Sequence, residues 1–386
     1  MRRLLQVLTL VVSVGVGFAL AVAFAPGVVT PSLTPEPGKK ATTTSAATST
    51  TLASTTTRRE AATYLVWSTG GLPAGLVAAL TAEFEDISVV RGDAVELDVG
   101  EGAFVPLDGL AIDPESHGAF DPGGDLADLR PGFVALGEAS ADFRGLGVGD
   151  VLTVGGVDYE VSAIAPDSVV GAAEIVFAQA DALTPVTTDR YVLVSTDLAR
   201  NVFEDRVRSM YDGPAPLRIR TEGESPWLRH GDAVLPQIHI KRALGEFAYV
   251  DRSGSEFSPD PEFVDANIVT TEVEILGEVR CHRRVAEMLD GVMGQLVQEG
   301  LGHLVDPAGF AGCWNPRYIK SPTGRSSGVS RHAWGAAVDL NAPSNAVGSA
   351  GTQDPRLVAV MAEWGFTWGG DWLVPDPMHF EYGIVP

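Results

Sequence analysis

The chain has 386 residues, of which 45% are hydrophobic and 20% charged, which is enough for two folded domains and a tail. Its formal net charge is −23, and basic residues cluster only in short pieces such as RCHRR at 280–284. This argues against a nucleic-acid partner, because such a surface needs clustered lysine and arginine to displace the counterions of phosphates.

The N-terminal segment, residues 1–26, has two arginines followed by an uncharged apolar run from Leu4 to Ala25. A helix needs about 20 such residues to cross a bilayer, whereas a cleaved signal peptide has an apolar core of about 7–15. Pro26 directly follows an Ala-x-Ala site and disfavours cleavage. The sequence therefore predicts a single-pass cell-membrane anchor with the rest of the chain outside the cytoplasm. Secretion after signal cleavage is the alternative.

Residues 27–61 are rich in threonine, serine and proline and have no hydrophobic periodicity, which predicts a disordered linker. Residues 62–222 predict a β-rich extracytoplasmic domain, in which Gly155-Gly156 joins two strands as a hairpin. The stretch 134–166 resembles the extracytoplasmic domain of MacB-type transporter permeases. That resemblance implies an interaction module whose partner the sequence does not name, and a spacer domain is the alternative.

The sequence pattern of residues 223–386 differs from that of the preceding β-rich region. Apolar residues at helical intervals predict a long helix within 277–301. A second helix follows Asp354, a good N-cap, with a proline in its first turn. The predicted fold class is therefore α+β: a small C-terminal antiparallel sheet with packed helices, preceded by the β-rich domain and the N-terminal transmembrane helix.

Three side chains in this region supply a ligand set for zinc. Catalytic zinc takes three protein ligands from His, Asp or Glu and leaves one position for water, and His332, Asp339 and His379 provide such a set. The alternative is a loop histidine and a strand-end aspartate with no metal. Two imidazoles and one carboxylate favour Zn²⁺ and do not exclude other divalent ions.

A further carboxylate, Asp376, lies three residues before His379 and between two prolines. Prolines fix φ and exclude a regular helix, so the segment is stiff and irregular. A carboxylate held near a metal-activated water can accept its proton and pass it to a leaving amine. Asp376 is therefore the candidate general base.

The motifs SRHAWGAAVDLN, WGFTWGGDW and DPMHFEYG resemble the zinc D-Ala-D-Ala carboxypeptidase and L-alanyl-D-glutamate endopeptidase family, which includes VanY-type enzymes and phage endolysins. The resemblance covers about residues 232–386 and favours the endolysin-like branch, which uses Asp as the base. It implies one Zn²⁺ per chain on His332, Asp339 and His379, with Asp376 as general base. The matching positions are Ser330, His332, Gly335, Ala337, Asp339, Asp376 and His379.

The family also has an upstream arginine that contacts the substrate and the developing oxyanion, and Arg317 matches its position. A guanidinium suits that role because it pairs bidentately with carboxylates and stabilises transition-state charge. A surface arginine is the alternative. Ser330 is expected to support the site and bind substrate, or to be only a turn-forming serine. Glu381 is expected to have a supporting role and not to bind the metal.

The two cysteines are too few for a disulfide-built fold or a four-cysteine zinc site. In an oxidising compartment Cys281 and Cys313 can form one bridge, and two separate buried thiols are the alternative. With Cys281 placed in the long helix, a bridge would pin the Arg317 loop to that helix.

Together these patterns predict a membrane-anchored, extracytoplasmic zinc metallopeptidase that hydrolyses the peptide stems of bacterial peptidoglycan. The sequence does not distinguish a carboxypeptidase from an endopeptidase, since the two share the metal set. The expected partners are the stem peptides and, through the N-terminal helix, the membrane, with no nucleic acid. The alternative function is a catalytically inactive wall-binding or regulatory module.

Overall fold

The structure is a computed structural model, and it describes residues 61–211, 213–229, 231–252, 256–321 and 324–384. These residues belong to one compact unit. The predicted anchor at 1–26 and nearly all of the predicted linker at 27–61 lie outside the described residues.

The described strands are short and mostly antiparallel to their neighbours. They are β1 (Ala62–Ser68), β2 (Ile87–Asp98), β3 (Phe104–Ile112), β4 (Phe133–Gly137), β5 (Val151–Val154), β6 (Val157–Ala165), β7 (Ile175–Ala178), β8 (Asp189–Thr196), β9 (Leu217–Thr221), β10 (Tyr249–Asp251), β11 (Phe257–Pro259), β12 (Ile268–Val273), β13 (Gly277–His282), β14 (Tyr318–Ser321), β15 (Gly324–Val329), β16 (Ala337–Asp339), β17 (Phe366–Trp368) and β18 (His379–Tyr382).

The described α-helices are shorter than 12 residues with one exception, α8. They are α1 (Ala74–Glu83), α2 (Pro114–His117), α3 (Glu138–Arg144), α4 (Asp167–Val170), α5 (Arg200–Ser209), α6 (Gln237–Leu244), α7 (Pro261–Asn267), α8 (Arg283–Gln298) and α9 (Pro355–Glu363).

One large sheet organises the described residues. Its eleven strands run in the order β11-β10-β3-β7-β4-β6-β5-β2-β8-β1-β9, with β2 also paired to β3. The pairs β3 with β7 and β4 with β6 are parallel. Strands β10 and β11 come from the chain after residue 222 and join the sheet where Tyr249 lies opposite Phe104. The sheet therefore includes strands from both sides of the predicted domain boundary.

The predicted fold class is wrong where it includes a transmembrane helix. Within the described residues, no helix is long and apolar enough to cross a membrane. The apolar run from Leu4 to Ala25, which motivated that prediction, lies outside them. A hydropathy pattern records how apolar a segment is and not the structure that it adopts. The prediction of a small C-terminal sheet also missed the extension of the large sheet, because residue alternation identifies a strand without identifying its partner.

The C-terminal part has its own three-stranded antiparallel sheet, ordered β16-β18-β17. Helix α8 buries Val285, Leu289 and Val292, which lie on one helical face, in the apolar cluster that also contains Val338 of β16 and Phe380 of β18. Helix α9 begins where the sequence predicts, with the Asp354 carboxylate accepting a hydrogen bond from the Arg356 backbone N–H at 2.9 Å. These helices form the apolar layer behind the candidate site.

A buried ionic cluster joins α6 to the large sheet. Glu174 lies in the loop before β7 and is fully buried. It accepts hydrogen bonds from Lys241 Nζ at 2.7 Å and Gln237 Nε2 at 2.9 Å, both on α6. Arg144 Nη2 lies 2.8 Å from the same carboxylate. The Glu174 carboxylate thus has a positively charged or amide donor on both oxygens, which makes its burial tolerable.

We expect Glu174→Gln to lower the free energy of unfolding by about 3–5 kcal/mol, because it removes one partner of a buried ion pair. Urea unfolding of the full chain measures this. Asp142→Asn is the control, since Asp142 pairs with Arg242 at an exposed position and such pairs contribute at most about 1 kcal/mol. Equal destabilisation by the two variants would contradict the assignment.

The same cluster predicts a pH dependence of stability. Burial raises the pKa of Glu174, whereas the charges of Lys241 and Arg144 lower it. The effect of the charges is larger, so the pKa of Glu174 is below its ordinary value of 4.5. A lowered folded-state pKa stabilises the protein above the unfolded value and loses that contribution as the pH falls. Stability should therefore decrease below about pH 4.5, and less steeply in Glu174→Gln.

Candidate metal centre

Two of the predicted ligands are brought together by strand pairing. Strands β16 and β18 are antiparallel, and Asp339 lies directly opposite His379 in their register. Facing residues of antiparallel strands have their side chains on the same side of the sheet, about 5 Å apart at Cβ. His379 Nδ1 is 3.1 Å from Asp339 Oδ1. This strand pairing therefore brings together two side chains that are 40 residues apart in sequence.

The third predicted ligand, His332, is on a 3₁₀ turn at Arg331–Trp334. The Ser330 side chain caps the turn by accepting the His332 backbone N–H at 3.4 Å. The turn ends at Gly335, whose φ of 63° is left-handed. A Cβ there would also lie 2.4 Å from the backbone nitrogen of His282, so glycine is required on two grounds.

The three side chains converge on one point. One ligand atom from each of His332, Asp339 and His379 lies within 4.8 Å of the other two. His332 Nε2 is 3.3 Å from Asp339 Oδ2. Among the described residues this buried nitrogen nevertheless has no hydrogen-bond partner of acceptable geometry. An orphaned imidazole nitrogen beside a carboxylate and a second imidazole matches the donor set of zinc.

The other nitrogen of each imidazole is held by an acceptor. His332 Nδ1 donates to the Cys313 carbonyl at 2.7 Å. His379 Nε2 donates to Glu381 Oε2 at 3.4 Å. Since a carbonyl and a carboxylate only accept, these contacts leave His332 Nε2 and His379 Nδ1 as the nitrogens that face Asp339 and are available to a metal.

The electrostatics of the metal-free cluster favour a cation. Burial raises the pKa of Asp339, but the adjacent His332 and His379 imidazoles have the larger, opposite effect and hold this pKa well below its usual range. Burial lowers the pKa of His379, but its hydrogen bonds with Asp339 and Glu381 raise it to about 9. The site therefore retains a proton near neutral pH that a bound metal would displace.

Asp376, the predicted base, is held beside this cluster. Its backbone N–H donates to the Gly369 carbonyl at 2.9 Å. A Cβ on Gly369 would lie 2.7 Å from the Asp376 carbonyl oxygen, so only glycine permits the approach. Asp376 Oδ1 is buried without a hydrogen-bond partner among the described residues. Burial raises the pKa of the Asp376 carboxyl, although the nearby charge of His379 has the opposite effect. The raised pKa makes Asp376 a stronger base.

Arg317 and Ser330 lie at the margin of the cluster. Arg317 is half-buried, and within the described residues its guanidinium forms no ion pair. Its charge is close enough to lower the pKa of Asp376. The Ser330 backbone N–H donates to the Arg317 carbonyl at 3.0 Å, which links the two residues. The Ser330 hydroxyl is buried against the His332 turn. The substrate contacts expected of both residues stay predictions.

Cys281 and Cys313 form a disulfide with sulfurs 2.08 Å apart. Cys281 is in β13 and not in the long helix, which begins at Arg283. The expectation that the bridge pins the Arg317 loop to that helix is therefore wrong. The bridge instead ties β13 to the segment whose Cys313 carbonyl accepts the His332 N–H.

Residues 323–382 match the family model described as D-alanyl-D-alanine carboxypeptidase. This confirms the family resemblance over the segment that contains His332, Asp339, Asp376 and His379, and it supports a carboxypeptidase-type hydrolase. No curated protein sequence matches the chain.

Two solved structures are similar to the chain at 12% sequence identity. The periplasmic region of MacB from Actinobacillus actinomycetemcomitans has a TM-score of 0.31, covering 42% of this chain and 90% of that one. A domain of a candidate permease from Porphyromonas gingivalis has a TM-score of 0.27, covering 44% and 92%. Scores this low carry no argument about function.

From the sequence, Glu381 was expected to have only an undefined supporting role. Residues two apart on a strand share a face, so the position of Glu381 two residues after His379 could have predicted their contact. The structure shows Glu381 as 2% exposed, with Arg331 Nε 4.0 Å away. The Cys313 carbonyl was missed altogether, because a backbone acceptor has no residue-type signature.

We expect Glu381→Gln to weaken metal binding about tenfold or more, because the uncharged acceptor orients His379 less well and raises its basicity less. Chelator competition on the metal-free protein measures the affinity without reference to activity. Glu287→Gln, an exposed position on α8, is the control and should leave the affinity unchanged. An unchanged affinity in Glu381→Gln would remove Glu381 from the metal centre.

Proposed function

We propose that this chain is a zinc-dependent peptidase that cleaves peptide stems of bacterial peptidoglycan outside the cytoplasm. One observation carries the proposal. His332, Asp339 and His379 converge within 4.8 Å of one another, inside the segment that matches the D-alanyl-D-alanine carboxypeptidase family model. The substrate class comes from that family description, and the chemistry comes from the residues.

Zinc, when bound, would supply Lewis acidity that acidifies a water and polarises the scissile carbonyl. His332, Asp339 and His379 would hold it, with the imidazoles fixed by the Cys313 carbonyl and Glu381. Asp376 Oδ1 would accept the proton of the attacking water and then deliver it to the leaving amine. Its unsatisfied, buried position favours this task because no donor from the described part of the chain competes for the oxygen.

Arg317 would bind the substrate. Its guanidinium, without an ion-pair partner among the described residues, can donate two parallel hydrogen bonds to a substrate carboxylate or to the oxyanion that develops during attack. A free terminal carboxylate is present in a carboxypeptidase substrate, whereas an endopeptidase would use the same arginine for the oxyanion alone.

The location proposed for the protein rests on the disulfide. Cys281 and Cys313 are bridged, and such bonds persist in oxidising compartments and are rare in the cytosol. Peptidoglycan stems are also exposed outside the cytoplasm, so substrate and disulfide favour the same compartment.

We expect the zinc-loaded full chain to cleave a synthetic stem pentapeptide that contains both an L-Ala–D-Glu and a D-Ala–D-Ala bond, and mass spectrometry of the products names the bond. Asp376→Asn should retain zinc and lose about 10²–10⁴ in rate. His332→Ala should lose zinc and activity together. Asp290→Asn, an exposed carboxylate on α8, is the control.

The variants distinguish the possible roles of the site. Cleavage that survives in Asp376→Asn would contradict the role of Asp376. Stoichiometric zinc without cleavage of either bond would favour an inactive wall-binding or regulatory module over an enzyme.

A further inference from the structure

The loop between β17 and β18, residues 369–378, forms one wall of the candidate site. It holds Asp376 through the Gly369 contact and places the Trp372 ring 5.1 Å from the His379 imidazole, centroid to centroid. Trp372 is half-buried, so part of its ring faces solvent beside the metal ligands. The position of this loop therefore sets both the base and the surface that a substrate would meet.

The middle of the loop is attached to residues far away in sequence. The Leu373 backbone N–H donates to Asp232 Oδ2 at 2.6 Å. Arg218 Nη2 donates to the Asp371 carbonyl at 3.2 Å. The Leu373 side chain packs against the apolar cluster of the large sheet that contains Trp67. Both backbone contacts flank Trp372.

Asp232 is itself held by strand β9 of the large sheet. Its carboxylate is 5% exposed and accepts from Arg218 Nη1 and, at 2.9 Å, from Arg220 Nη2. Arg220 Nη2 also donates to the Gly231 carbonyl at 2.8 Å. A buried carboxylate that pairs with two guanidinium groups is held firmly in place, because moving it would leave buried charges without partners.

Resting on the proposed function, we propose that Asp232 is a positioning residue that holds the Trp372 loop over the metal centre, and that β9 thereby makes the large sheet part of the peptidase site. The sheet is then more than a spacer, since the wall that receives the substrate is fixed by Arg218 and Arg220. A misplacement of about 1 Å at such a wall can reduce the rate about 10²-fold.

Asp232→Ala in the full chain tests the proposal. We expect zinc to be retained and kcat/KM on the stem pentapeptide to fall about 10- to 100-fold. Fluorine NMR of fluorotryptophan-labelled protein, with the Trp372 signal assigned through Trp372→Phe, reports the loop position directly. That signal should shift or broaden in Asp232→Ala.

Asp93→Ala is the matched control. Asp93 is a similarly buried carboxylate, 9% exposed, which accepts the Thr187 and Thr188 backbone N–H groups and pairs with Arg190 at 3.0 Å. It belongs to the same sheet, and its hydrogen-bond and ion-pair partners among the described residues are Thr187, Thr188 and Arg190, none of them in the loop. We expect Asp93→Ala to destabilise the fold to a similar degree while leaving the Trp372 signal and kcat/KM unchanged.

A double-mutant cycle separates positioning from general destabilisation. If Asp232 acts through Trp372, Asp232→Ala should change kcat/KM by less than about twofold in a Trp372→Ala background. Additive losses would overturn the proposal. Should Asp232→Ala fail to fold, Arg218→Gln removes the contact to the Asp371 carbonyl at a half-exposed position and should shift the Trp372 signal.

The two readouts keep the proposals distinguishable. If the unmodified chain cleaves neither bond of the pentapeptide, the proposed function fails, while the Trp372 signal still decides whether Asp232 positions the loop. An unmoved Trp372 signal in a folded Asp232→Ala protein would overturn the positioning role, whatever the activity.

Discussion

The antiparallel pairing of β16 with β18 is the constraint on which the candidate site depends. It places Asp339 directly opposite His379, so two candidate ligands from distant parts of the chain meet without help from a flexible loop. Strands hold such a pair more rigidly than loops do, and a metal centre tolerates little positional error. The His332 turn precedes β16 by only a few residues, and its geometry is fixed by Gly335 against the backbone of His282.

Around this pairing, each imidazole is oriented by a hydrogen-bond acceptor outside the candidate ligand set. The Cys313 carbonyl, anchored by the disulfide to β13, holds His332. Glu381 lies two residues after His379 on the same strand and accepts a hydrogen bond from the His379 imidazole. The apolar layer of α8 and α9 lies behind both, so the buried polar groups are surrounded by packed side chains and their hydrogen bonds act in a medium of low dielectric constant.

The sequence singles out His332, Asp339 and His379, which the fold brings together, because they stand in motifs whose residue types carry chemistry. Their role as metal ligands and that of Asp376 as base stay predictions. The sequence does not predict the Cys313 carbonyl, the approach of Gly369 to Asp376 or the contact of Asp232 with Leu373. Each of these is a backbone or long-range contact that depends on tertiary packing. Likewise, strands β10 and β11 look like any short strands in sequence, and only the fold shows that they extend the large sheet.

The claim that His332, Asp339 and His379 bind one divalent metal is tested most directly by zinc-edge X-ray absorption on the zinc-loaded full chain and on His379→Ala. We expect about one zinc per chain, with nitrogen and oxygen ligands only, at about 2.0–2.2 Å. The unmodified chain should show two imidazoles, and the variant should show one. A chain that takes up no stoichiometric zinc, or an imidazole count that His379→Ala leaves unchanged, would contradict it.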